Sequence, residues 1–301
     1  MSTKGSDLKA PTASVIIPCF NAEETLGEQL DALIAQTGDV PFELILVDND
    51  SCDGTVALGL SYRDRLPGLR IISAVEKKGA GYARNVGVAE AQTEKILFCD
   101  ADDVVSAGWV KSMADALDHA QVVGGGRDFL QLNPLWHPLV RRNGAQADAT
   151  EICDVHYFGK MNIATVGAGN LGINRSLFLE IGGFDPDLPA HEDVDLQVRA
   201  WRAGHHLQLC PEGLAYIRVR QSSGSVFRQA CFWGFWDVAV LKKYRKHQGW
   251  RQLARAVVQW KKLVVRFFGM RDADKRKEFV YILGWKCGRI IGSFRFLVFA
   301  P

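Results

Sequence analysis

No Cys-x-x-Cys pair occurs among the seven cysteines (Cys19, Cys52, Cys99, Cys153, Cys210, Cys231 and Cys287), and their number is odd. That argues against a zinc site and a disulfide framework; the thiols read as free, in a reducing compartment. There is no run of 18 uncharged apolar residues. The nearest approach, 279–300, is interrupted by Lys286, Arg289 and Arg295, which speaks against a spanning helix and leaves room for a surface-lying one. The opening MSTKGSDLKAPT lacks the apolar centre of a signal peptide. Internal repeats and low-complexity stretches are absent. Net charge is nearly absent too, at +2, but that figure hides a segregation. Residues 1–241 carry 20 Lys and Arg against 31 Asp and Glu, whereas residues 242–301 carry 16 against 3. A basic tail on an acidic body points to a polyanionic partner, a membrane or a nucleic acid.

What is present is material for a core. Hydrophobic residues make up 48% of the chain and charged residues 23%, which excludes a disordered or collagen-like protein. The first 125 residues alternate short apolar runs with helical patterns. SVIIPCF (14–20), ELILV (43–47), Leu69–Ala74, KILFC (95–99) and Gln121–Gly124 read as strands. Residues 23–37, 81–91 and 109–117 read as helices. Runs of this length separated by helices predict parallel strands covered on both faces, with ligands at their carboxyl ends. Residues 126–165 carry weak element signals. A strand over 168–174, helices over 175–181 and 193–203, and a strand over 206–210 follow. Beyond Ser225 the pattern is helical, with breaks near Gly249 and 270–273.

Four polar clusters interrupt this framework. Asp100-Ala101-Asp102-Asp103 directly follows KILFC. Three carboxylates at a strand's end repel one another unless a cation sits among them, and magnesium or manganese bound to phosphate oxygens suits such a set. A solvated acidic loop capping the next helix is the plainer alternative. Asp48-Asn49-Asp50, after ELILV, can accept from the base and ribose of a nucleotide, while Asp53 nearby serves as a helix cap. In Gly79-Ala80-Gly81-Tyr82-Ala83-Arg84-Asn85 the glycines permit close approach of a ligand, and Arg84 can pair a phosphate. His191-Glu192-Asp193-Val194-Asp195 opens a helix, where acids complement the dipole. A carboxylate presented there beside a metal–nucleotide site is a candidate general base. His191 reads as a packing residue before it reads as a ligand.

In order, SVIIPCFN, ELILVDNDSCDGT, GAGYARNVG, KILFCDADD, GAGNLGINRSLFLEIGGFD and HEDVDLQVRAWRAG resemble the blocks of the family 2 inverting glycosyltransferases of GT-A fold, over about residues 13–230. The resemblance implies an α/β nucleotide-binding sheet, mostly parallel and flanked by helices. It divides the chain into a flexible stretch 1–12, a catalytic domain 13–225 (donor half 13–125, acceptor half 126–225) and a basic helical extension 226–301. It implies a D-x-D metal site at Asp100, Asp102 and Asp103 for Mn2+ or Mg2+, with Asp102 leading. It implies nucleoside contacts from Asp48, Asn49, Asp50 and Asp100, and donor contacts from Arg84 and Asn85. Asp193 becomes the catalytic base and Glu192 its acceptor-site neighbour. Relatives often have Asp where Asn49 stands, which leaves the base open; a UDP-sugar ranks ahead of a GDP-sugar. Many relatives carry a His near 215–220, where this chain offers Arg218 and Arg220 for the departing diphosphate. A catalytically inert GT-A scaffold is one competing reading. A sugar-phosphate nucleotidyltransferase is another, but its glycine- and arginine-bearing start is missing after the first strand.

The tail sharpens the partner. Over 250–268, Arg251, Arg255, Gln259, Lys262 and Arg266 line one face and Leu253, Val257, Trp260, Val264 and Phe267 another. The next segment repeats this with Lys275, Glu278, Lys286, Arg289 and Ser293 near one line. Basic amphipathic helices with aromatics on the apolar stripe fit an anionic membrane surface through residues 242–301, and not a nucleic acid. The expectation is a cytoplasmic enzyme, peripheral on the inner face of the membrane, acting on a lipid-linked or growing-glycan acceptor.

Overall fold

The computed structural model describes residues 10–133, 154–158, 161–244 and 273–298. Eight strands form one sheet. Its parallel half contains β1 (Ala13–Cys19), β2 (Phe42–Asp48), β3 (Leu69–Ser73) and β4 (Lys95–Cys99), in the order β3-β2-β1-β4. The sheet continues β9-β6-β10-β5, with β5 at Val104–Val105, β6 at Val122–Asp128, β9 at Asn170–Asn174 and β10 at Leu207–Tyr216. β9 runs antiparallel to both β4 and β6, and β5 runs antiparallel to β10. The sheet is therefore mostly parallel, with β9 the reversed strand between its two halves. An apolar run carries no mark of direction, so this reversal was not legible in the pattern.

Alternation within the strands splits the core into two layers. Val15, Ile17, Leu44, Leu46 and Leu97 pack with helices α1 (Leu26–Ile34) and α4 (Trp109–Ala116). Ile16, Ile45, Val47, Ile96 and Phe98 pack on the other side with α3 (Ala80–Glu90), α5 (Arg175–Glu180) and α6 (Glu192–Arg202). Pro18, which has no N–H to donate, lies past the last residue that β1 pairs with β4. α2 (Thr55–Ser61) crosses between β2 and β3. The weakly patterned stretch 126–165 holds the end of β6 and a separate hairpin, β7 (Asp154–Phe158) with β8 (Met161–Thr165).

Two long helices follow, α7 (Ser223–Tyr244) and α8 (Ala273–Phe296). A third apolar cluster, including Ile163, Val194, Val198, Val238 and Leu241, seats α7 on α6 and β8. The two helices run parallel and close. A Cβ on Gly284 would lie 2.6 Å from the Phe227 carbonyl oxygen and one on Gly292 2.7 Å from that of Phe235; one on Gly288 would overlap the Cys231 carbonyl. The two-faced segment 250–268 lies outside the described residues. Part of the polar line on α8 faces protein. Lys286 is buried, and Arg289 pairs with Asp237 of α7. The glycines bring α7 near enough for that pairing.

Candidate functional site

β4 ends at Cys99, and the chain turns at once through Asp100–Asp103. Carboxylate oxygens of Asp100, Asp102 and Asp103 all lie within 4.8 Å of one another. The turn is held from two sides. The buried Gln29 of α1 donates to the Asp100 carbonyl (3.1 Å) and accepts the Val105 N–H (3.0 Å). Just past β10, the Arg218 N–H donates to Asp103 Oδ1 (2.8 Å), its Nε to the Asp102 carbonyl (3.0 Å), and its far end pairs with Glu28 (2.9 Å). Arg218 is thereby spent on shaping the turn. Arg220 stays exposed, near enough to Asp102 to favour its charged form. Burial, and then the Asp100 carboxylate, pushes Asp102 up, and pushes Asp103 well above the ordinary carboxylate range. An all-oxygen donor set with surplus negative charge fits a hard divalent cation.

The second half of the site opens α6. Asp193 is half-buried, and its carboxylate accepts the N–H groups of Ala168 (3.2 Å) and Val194 (2.7 Å). A Cβ on Gly167 would stand 3.9 Å from Asp193 Oδ2, and one on Gly169 would overlap Asp100 Oδ2. The loop 167–169 thus has the acidic turn against one end and Asp193 against the other. Arg84 makes the second link. Its buried guanidinium spans Asp100 (2.6 Å) and Glu192 (3.1 Å) and lies 5.6 Å over the Phe184 ring. Two carboxylates occupy the fork of Arg84 in this arrangement. Burial pushes Glu192 up to about 7, the Asp193 charge adds to the rise, and Arg84 opposes it. Asp195, on the same turn, is sealed off: it is fully buried against Arg199 (2.8 Å), Lys243 (2.6 Å) and the Tyr244 hydroxyl (2.5 Å).

The block after β2 divides similarly. Asp48 lies half-buried at the strand's end and accepts the Ser51 N–H (3.3 Å); Asp50 is exposed, 3.6 Å from Lys78. Asn49 is buried. Its amide donates to the Ala74 and Lys77 carbonyls and accepts the Gly79 N–H (2.8 Å), so it braces the loop leading to α3. Asn85 also serves the backbone, bonding both the carbonyl (2.8 Å) and the N–H (2.9 Å) of Phe184. The run 14–20 places Phe20 at the end of a strand. The strand stops at Cys19 and leaves the ring 54% exposed, with the Lys78 ammonium 5.9 Å from its centroid. A bulky aromatic closing an otherwise buried run was the available signal.

Comparison with known proteins decides the family. The model of "Glycosyl transferase family 2" matches residues 14–179. The chain belongs to glycosyl transferase family 2. It is 31% identical over 190 residues to the uncharacterized glycosyltransferase YwdF of Bacillus subtilis, covering 62% of this chain and 67% of that one. Matched segments span from 36% to 67% of the lengths of the first curated relatives. Among solved structures, the mannosyltransferase PcManGT of Pyrobaculum calidifontis, in complex with GDP-Man and Mn2+, superposes with a TM-score of 0.66 at 16% identity, covering 95% of this chain and 88% of that one. Staphylococcus aureus TarS 1-349 with UDP-GlcNAc gives 0.55 at 17% identity, covering 96% and 93%. These structures share the arrangement of a mostly parallel sheet flanked by helices.

Proposed function

We propose that this family 2 chain transfers a sugar from a nucleotide-sugar, a UDP-sugar ahead of a GDP-sugar, to a hydroxyl acceptor with inversion. The observation that carries the reading is the loop 167–169, which has Asp100 of the acidic turn at one end and Asp193 at the other. Asp102, Asp100 and Asp103 would hold Mn2+ or Mg2+. When bound, the cation offsets the charge that grows on the diphosphate as it leaves. Arg220, exposed beside Asp102, is placed to help. Phe20 offers a face for the nucleobase, with Lys78 near both that ring and Asp50, and with Asp48 paired to the preceding Cys19. Two backbone N–H bonds aim the Asp193 carboxylate, which takes the acceptor hydroxyl's proton. The acceptor oxygen attacks the anomeric carbon from the face opposite the diphosphate. The bond to the diphosphate breaks, its electron pair leaves with the phosphate oxygen, and the configuration inverts. The test is a nucleotide-sugar screen with the wild type and Asp193→Asn. The variant should bind donor normally while transfer falls roughly 100-fold, the scale for loss of a general base. Near-normal turnover would remove Asp193 from the mechanism.

The acceptor is proposed to be lipid-linked or a growing glycan at an anionic membrane surface. Among the described residues no helix is long and apolar enough to cross a membrane. α8 nevertheless turns apolar groups outward, with Ile291 54%, Phe294 79% and Leu297 90% exposed and Arg295 among them. Together with the +13 balance of residues 242–301, this face supports attachment by shallow apolar insertion plus charge.

A further inference from the structure

His191 stands immediately before the site and has no part in the scheme above. Its backbone is left-handed (φ 60°, ψ 17°), a conformation that a non-glycine residue keeps only where its surroundings enforce it. Its carbonyl accepts the first helical bond of α6, from the Asp195 N–H (3.0 Å), so its conformation sets where the helix, and with it Asp193, begins. The enforcing groups are both on the helix pair. The His191 Nε2 is 3.0 Å from the Trp233 carbonyl of α7, and the ring meets Trp285 of α8 edge-on, with centroids 5.8 Å apart. Trp285 is itself fixed, because its backbone carbonyl presses on Gly234, where a Cβ would overlap it. Two residues past Asp193, α7 grips again. Lys243 bridges Asp195 (2.6 Å) and Asp185 (2.9 Å), and the Tyr244 hydroxyl bonds Asp195. Asp193 therefore sits between two clamps, at 191 and at 195, and both are made by the helices that follow the sheet.

We infer that His191 is a positioning residue for Asp193, and that α7 and α8 are part of the transfer machinery in addition to any anchoring they provide. The inference rests on Asp193 acting as the base. A helix pair with a merely stabilising role would lower the melting temperature when perturbed and leave turnover per folded molecule unchanged. A clamp on the base gives a different signature: kcat falls while donor affinity holds.

The experiment uses the full chain with Mn2+ and a donor nucleotide. His191→Ala should lower kcat by at least 10-fold, with UDP affinity within about 2-fold of wild type. His191→Asn should recover only part of that loss, since Asn tolerates the left-handed region but its shorter amide does not reach the Trp233 carbonyl that Nε2 meets. Trp285→Leu and Lys243→Met each release one clamp without touching the helix start, and each should lower kcat by roughly 3- to 10-fold; they carry the test if His191→Ala fails to fold. A substrate-free readout accompanies them. The Ala168 N–H is bonded to the Asp193 carboxylate, so its hydrogen exchange should speed up at least 10-fold in all three clamp variants. Wild-type kcat and unchanged Ala168 exchange in these variants would overturn the inference. Loss of donor affinity in parallel with kcat would also overturn it. If the wild type transfers no sugar but Ala168 exchange still rises, the glycosyl-transfer reading fails and the clamp stands. If Asp193→Asn is inactive while the clamp variants are not, the clamp alone fails.

Discussion

Replacing Glu192 by Gln should make the protein more stable at neutral pH, and the gain should grow with pH. The carboxyl is buried beside Asp193, and its pKa rises from 4.5 to about 7 even with Arg84 in contact. Between those two values the folded chain holds a proton that the unfolded chain has released. Stability must therefore fall as pH rises through that window, by up to about 1.4 kcal/mol per pH unit from this one group. Integrated over the gap, the ionised side chain costs on the order of 3 kcal/mol above pH 7 and almost nothing near pH 4.5. Gln mimics the protonated acid in shape and has no charge to bury, and Arg84 keeps its pairing with Asp100. Urea unfolding of wild type and variant at pH 5, 6, 7 and 8 measures the difference. EDTA in every sample keeps the acidic turn in one metal-free state, so that the shifts at Asp102 and Asp103 cancel in the comparison. The expected result is a variant more stable by about 1 kcal/mol at pH 5 and by about 3 kcal/mol at pH 8. A stability difference independent of pH would refute the reasoning, since it would mean that Glu192 titrates alike in both states.

Asp102→Asn should abolish the metal dependence of nucleotide binding, weakening UDP affinity in Mn2+ by roughly 100-fold in calorimetry, because a ligand shared between protein and diphosphate is lost. Gly169→Ala should displace the Asp100 carboxylate that a Cβ would overlap; a destabilisation of about 1–3 kcal/mol and weakened Mn2+ binding are expected, read by denaturant titration and metal titration. Full-length protein should co-sediment with anionic vesicles, less so in high salt but not to zero. Phe294→Ser with Leu297→Ser should lose the salt-resistant part, since each buried side chain contributes about 1.5–3 kcal/mol. Equal salt-resistant binding of both forms would place the contact elsewhere.

The acidic clusters were legible because carboxylates crowded at strand and helix ends need an explanation in any fold. Asp100, Asp102 and Asp103 converge as the spacing suggested, and the short apolar runs became strands close to their expected bounds. What escaped was which partner each polar group meets. Arg84 looked available to a phosphate because nothing in its own segment shows that Asp100 and Glu192 close on it. Asn49 stands in the nucleoside-binding block, and nothing in its own segment shows that the loop after β3 brings two carbonyls and an N–H to its amide. Gln29 sits in a helix as any surface glutamine would, yet it is buried and carries the floor of the acidic turn. On α8 the periodicity put Lys286 and Arg289 on one line and could not say that they face protein; Asp237 and the glycines of the helix pair decide that.

The reversed strand bears on how the chain reaches its fold. β4 cannot complete its open edge until β9 arrives, because Cys99 pairs with Asn170 and Lys95 with Asn174. On a ribosome, the emerging β3-β2-β1-β4 ribbon would wait with a row of unpaired N–H and C=O groups while some seventy further residues are made, the separation that register implies. Such an edge is a template for pairing with a neighbouring chain, and contacts this distant in sequence close slowly. Ile96, Leu97 and Phe98 lie on that edge, fully buried in the finished protein. Overproduction should therefore strain this chain at synthesis more than at storage, with chaperone demand concentrated in the interval before β9 is released, and lower expression temperatures should raise the yield of native protein by giving β9 time to dock.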